Sequence, residues 1–146
     1  MTTATLADAQ GAFAIGVSTA SGPPEGLVDS TLRLDRRLDE LTTLASNWDG
    51  SGAQSVDRGA LRLAGAVIIQ ALRAGLPEPE IFPVPDGGVQ IEWQAGPVEL
   101  ELEIECGGQV GVFVCDDEQA AQQIDGQIPE DLSRFALALA RLNAYA

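Results

Sequence analysis

The sequence predicts an α+β domain: a helical hairpin, a four-stranded antiparallel meander sheet and a C-terminal helix, with the helices on one face of the sheet. Three observations predict it. Before residue 75 and after residue 129, apolar residues recur at spacings of three, four and seven, the period of a helix with one buried face. Between residues 81 and 115 the period becomes two, broken by Gly-containing turns, the pattern of hairpin-connected strands. Each such strand is apolar on one side only, so the sheet needs cover on one face and leaves the other to solvent.

The elements follow in order. Residues 1–26 are rich in Ala, Thr, Ser and Gly and end in SGPPEG, which reads as a flexible leader. Residues 27–146 then form a single domain of a size that buries a real core. The first helix runs from Leu27 to Ala45, with Leu27, Leu34, Leu38, Leu41 and Ala45 as its apolar stripe. The turn residues of NWDGSGA, 47–53, end it. Ser55 or Asp57 caps a second helix that runs to Ala74, and Gly75 stands where a C′ glycine belongs. A short loop between two helices predicts an antiparallel pair.

Four prolines, Pro77, Pro79, Pro83 and Pro85, make any strand at 81–84 an edge strand. The turn Asp86-Gly87-Gly88 leads into Val89–Gln94, with Val89, Ile91 and Trp93 on one side. A two-residue Ala95-Gly96 turn then pairs Trp93 with Val98 and sets Glu92 opposite Glu99. A three-residue loop, 107–109, pairs Ile104 with Val112 and puts Phe113 opposite Glu103. Residues 116–127 (DDEQAAQQIDGQ) read as an acidic loop, and Pro129 opens the last helix at N1, to about Tyr145.

Composition excludes several functions. The chain has no histidine, which removes Ser-His and Cys-His catalytic pairs and His-containing zinc sites. Cys106 and Cys115 are too few for a disulfide framework. No apolar run is long enough to span a bilayer, and the first residues lack the positive charge of a secretory signal, so the expected location is the cytoplasm. No stretch has calcium-loop spacing. Neither a metal nor a cofactor is expected.

Charge says more. The net charge is −14, and no basic residue lies between Arg73 and Arg134, a segment with fourteen of the twenty-two acids. The strand PVELELEIEC places Glu99, Glu101, Glu103 and Glu105 at alternate positions. Such a field repels nucleic acid and anionic membranes and favours a basic protein partner. A sheet face that needed only solubility would mix lysine, arginine and threonine into those positions, since facing carboxylates destabilise. The expected contact residues are Glu92, Glu99, Glu101, Glu103, Glu105, Phe113, Asp116 and Asp117, with Phe113 as an apolar anchor.

NWDGSGA (47–53) and PDGGVQIEW (85–93) together resemble a pattern in small uncharacterised bacterial proteins, NWDG-x-GA followed by PDGG-x-x-x-EW. The resemblance covers about residues 27–104 and implies an accessory product of a mobile or defence-related locus. Within it, Trp48, Asp49, Gly50, Asp86, Gly87, Gly88 and Trp93 are expected to be structural: Trp48 and Trp93 as core aromatics, the aspartates as turn residues. The sequence thus predicts a non-catalytic interaction protein, antitoxin-, immunity- or inhibitor-like. Two alternatives stand beside it. One is a small enzyme or ligand binder using Asp49, Asp86 and Glu92. The other is a structural subunit whose chains share an apolar helix face.

Overall fold

A computed structural model describes residues 26–146; the expected leader lies, apart from Gly26, outside the described residues. The chain runs through helix α1 (Leu27–Thr42), helix α2 (Arg58–Arg73), strands β1 (Glu80–Pro83), β2 (Val89–Ala95), β3 (Val98–Ile104) and β4 (Val110–Asp116), a 3₁₀ turn (Ala120–Gln122), strand β5 (Ile124–Ile128) and helix α3 (Leu132–Asn143). The sheet is an antiparallel meander in the order β1-β2-β3-β4-β5. It has five strands where four were expected.

Helix α1 buries Leu34 and Leu41, with Leu27 and Leu38 packed against the same core. It stops at Thr42, short of Ala45, and in its last turn the hydroxyls of Thr42 and Thr43 donate back to the carbonyls of Asp39 (2.6 Å) and Glu40 (2.7 Å). Those bonds satisfy carbonyls that a continuing helix would otherwise use. Ala45 is exposed. Helix α2 starts on Asp57, whose carboxylate accepts from Ala60 N at 2.9 Å. It ends in a Schellman turn: Leu76 N donates to Ala71 O, Gly75 N donates to Leu72 O, and Gly75 has φ +84°. The two helices are antiparallel, with Leu38 of α1 against Gly65 of α2 and Thr42 beside Leu61. Their connection, residues 43–57, is longer than the short loop expected.

One side of every central strand is sealed. Val89, Ile91, Trp93, Leu100, Leu102, Ile104, Val112 and Val114 are each 3% exposed or less, under α2 and α3. This apolar face is the one predicted, but the register differs by two residues at both hairpins. Ala95 pairs with Val98, so the first turn is Gly96-Pro97. Gly96 at φ +56° followed by proline, whose φ is locked negative, is the residue order of a II′ hairpin turn. Glu92 therefore faces Glu101, not Glu99. At the second hairpin, Glu105 N bonds Gln109 O and the loop is 106–108, so Ile104 pairs with Val110 and Phe113 faces Glu101, not Glu103. Gly107 and Gly108 both take positive φ there, which places the tight turn one residue earlier than expected.

Two further expectations fail at the C-terminal end. Residues 124–128 form a strand, with Ile124 and Ile128 in the core and Asp125 and Gln127 outward. Pro129 lies in the turn after it, and α3 begins at Leu132 after Asp131. Asp131 closes the exposed edge of β5: its carboxylate accepts from Gln127 N and its own N–H donates to Gln127 O. Arg134 donates to Gln123 O beside it. Taken edge groups resist pairing with a stray strand.

Candidate functional site

The sheet face turned away from the helices is built by alternation, and its contents follow from the register. One row across the sheet reads Glu80, Glu92, Glu101, Phe113, Asp125; the next reads Phe82, Gln90, Glu103, Gly111, Gln127. Gln94, Glu99 and Cys115 make a third. Neighbours in a row are ~4.8 Å apart and neighbours two along a strand ~6.7 Å, so Glu101 has carboxylates on several sides. Phe113 is 40% exposed in the middle of this field. Four arginines of the described residues are ion-paired, all elsewhere: Arg33 with Glu78, Arg37 with Glu40, Arg134 with Asp131, Arg141 with Asp116 and Glu118; Arg36, Arg58, Arg62 and Arg73 lie on α1 and α2. Among the described residues, no cation pairs with a carboxylate of the outer face.

The cost of that arrangement appears in proton affinity. Partial burial first, and then the Glu92, Glu99 and Glu103 carboxylates, push the Glu101 pKa above its ordinary value. Partial burial, then Asp86 and Glu105, raise that of Glu103. Both effects disfavour the charged form. One internal bond offsets part of the strain, Gln90 Nε2 to Glu92 Oε1 at 2.6 Å. A depression of about 330 Å³ lies between Glu101, Glu103 and Glu105 on one side and Phe113, Asp125 and Gln127 on the other.

The predicted contact residues divide. Glu92, Glu99, Glu101, Glu103 and Phe113 share the face, and Glu105 stands at its rim in the turn after β3. Asp116 is not on it. Its side chain is buried, joined to Arg141 Nε and Nη2, and accepts from Glu118 N and Gln119 N. The Arg141 guanidinium, then these backbone donors, hold the Asp116 pKa below the usual aspartate value, and the carboxylates raise that of Arg141. Asp117 is exposed in the following loop, its N–H bonded to Pro97 O. Glu80 and Asp125 belong to the central row, yet sequence reasoning missed them. The alternation of Ile124, Gly126 and Ile128 was the available signal for Asp125.

The NWDG and PDGG segments form one joint. Asp49 accepts from Ser51 N (2.8 Å) and Ala53 N (3.0 Å), which lowers its pKa, and Asn47 Oδ1 accepts from Gly52 N. Trp48 is half-buried rather than in the core; its Nε1 donates to Gln54 O at 2.9 Å and ties the loop to its own exit. That exit runs along the second turn: Gln54 N bonds Pro85 O and Asp57 N bonds Gly87 O. Asp86 accepts from Gly88 N at 2.8 Å. A Cβ on Gly88 would stand 2.6 Å from Ile104 O, so only glycine lets this turn meet the end of β3. Gly50 and Gly87 have φ of +75° and +96°. Trp93 is fully buried. The carboxylates of Asp49 and Asp86 are thus committed to backbone donors of their own loops.

Among the described residues, no group of three or more His, Cys, Asp or Glu is arranged to hold a metal ion, and no helix is long and apolar enough to cross a membrane. In comparisons with protein-family models, curated proteins and solved structures, none matches this chain.

Proposed function

We propose that this chain is a non-catalytic, cytoplasmic interaction protein, antitoxin-, immunity- or inhibitor-like, whose outer sheet face binds a basic surface of a partner protein. One observation carries the reading: a sheet face with Glu80, Glu92, Glu99, Glu101, Glu103 and Asp125 unneutralised by any arginine of the described residues, around a half-exposed Phe113. Facing carboxylates cost the isolated fold stability, and a guanidinium-rich partner recovers that cost on binding. Phe113 supplies the desolvated centre that charge alone lacks. Asp116 leaves the contact set; Asp117 and Glu105 remain at its rim.

Masking of a nucleic-acid-binding site is the sharper form of the same reading. The carboxylate spacings of ~4.8 and ~6.7 Å are wider than the ~3.4 Å phosphate repeat along one DNA strand. The face therefore matches the sign of a nucleic acid better than its spacing. It binds neither nucleic acid nor anionic membrane itself.

The test uses the full chain and a Glu99→Gln, Glu101→Gln, Glu103→Gln variant as baits in a lysate of the source cells, at low and moderate salt. A basic protein held by the wild type, weakened by salt and lost with the variant supports the proposal. Identical retention by both baits would refute it.

A further inference from the structure

The surface of the helical hairpin carries a second pattern, independent of the acidic face. On α1, Val28, Leu32, Asp35 and Asp39 follow one another at spacings of four, three and four; on α2, Arg58, Arg62, Gly65 and Ile69 do the same. Residues so spaced share one face of a helix. Because the helices are antiparallel, with Leu38 level with Gly65 and Thr42 with Leu61, Val28 and Leu32 lie toward the Ile69 end of the hairpin, Asp35 is about level with Ile69, and Asp39 lies toward Arg62 and Arg58. The apolar end is solvent-facing: Val28 is 69% exposed, Leu32 60% and Ile69 37%. The side chains of Asp35, Asp39, Arg58 and Arg62 make no ion pair or hydrogen bond among the described residues.

We propose that this face is a homodimer interface, occupied by a second copy of the chain about a two-fold axis running along the seam between α1 and α2. That operation lays α1 of one copy over α2 of the other. Apolar end then meets apolar end, while Asp39 meets the partner's Arg62, and the pairing occurs twice, as an isologous contact requires. Charge complementarity singles out the second copy as the occupant. Residues 26–73 hold six acids and six arginines, so the hairpin is the neutral side of a strongly acidic molecule. Docking there turns both acidic sheet faces outward, where the two net charges repel least. Two 16-residue helices offer a face of about 24 by 20 Å, at the small end of specific interfaces, so the dimer dissociates on dilution.

Sedimentation velocity of the full chain over a concentration series tests this. The expected result is a concentration-dependent rise from 15.2 kDa toward twice that mass. Leu32→Glu abolishes the rise. Asp39→Arg and Arg62→Asp each weaken dimerisation roughly tenfold or more, and the two combined in one chain restore it, because the reciprocal pairs have only exchanged sign. All these positions are exposed, and circular dichroism confirms that each variant is folded. A wild type that stays monomeric at every concentration overturns the proposal and leaves the face to another occupant. A combined variant no better than either single one overturns the pairing. Neither outcome touches the acidic-face reading, which the lysate experiment decides separately.

Discussion

Glu101→Gln is expected to stabilise the protein. Glu101 sits between Glu92 and Phe113 across the sheet and between Glu99 and Glu103 along its own strand. Two carboxylates ~6 Å apart repel by about 0.7 kcal/mol at the dielectric constant of water, and cross-strand like pairs measure up to ~1 kcal/mol. The Glu99 and Glu103 charges add smaller, better screened amounts. Glutamine keeps the size of the side chain and removes the charge, so the expected gain at neutral pH is about 1 kcal/mol, a rise in Tm of roughly 3–5 °C for a domain of this length. The sign with pH follows from the raised pKa of Glu101. The folded chain holds this proton more tightly than the unfolded chain, so wild-type stability increases as pH falls through the raised value toward the ordinary 4.5. Once Glu101 is protonated the two side chains are nearly equivalent, and the gain disappears. Thermal unfolding of both proteins at neutral pH and below pH 4.5 checks this. An unchanged or lower Tm at neutral pH, or a gain that persists in acid, would refute the claim that the face is held under charge strain.

Three other outcomes are expected. Gly88→Ala forces a Cβ to within 2.6 Å of the Ile104 carbonyl and 3.0 Å of Asp86 Oδ1; a cost of about 2–3 kcal/mol lowers the urea midpoint with little change in slope. Asp57→Ala removes the cap on Ala60 N and costs about 1 kcal/mol, read the same way. Asp116→Asn destabilises the chain at neutral pH and flattens its acid limb. The depressed pKa of Asp116 means that its stabilisation is full above the ordinary value of 3.8 and is lost as pH falls through the folded-state one.

The layers of this fold were legible because binary patterning is a strong signal. Val89, Ile91 and Trp93 alternate, the α2 stripe repeats at helical period, and each lies where its period places it. Register was not legible to the same depth. Apolar faces match equally well when a hairpin slips by two residues, so only turn geometry distinguishes the alternatives, and Gly96-Pro97 outcompetes Ala95-Gly96. β5 was missed because charged and amide residues surround it, and two isoleucines four apart are a weak strand pattern on their own. Asp116 was misplaced for a related reason. Its alternation parity groups it with Val112 and Val114 on the buried side, but its charge suggested the acidic surface, and its partner Arg141 is 25 residues away.

The NWDG and PDGG motifs and the glutamate strand carry different kinds of information. Asn47, Asp49, Asp86 and Gly88 are tied down by hydrogen bonds and close approaches that only those residue types satisfy, and the two turns are bonded to each other through Gln54 and Asp57. A chain with the same two motifs would reproduce that joint and therefore the placement of α2 against the end of β3. Nothing in the joint requires glutamate at 99, 101 or 103: those side chains stand on the outer face and supply none of its hydrogen bonds. Hence two proteins can share the motifs and present unrelated outer faces. The residues that make the resemblance recognisable are those that set the scaffold. The residues that would choose a partner are the ones the scaffold leaves free to vary.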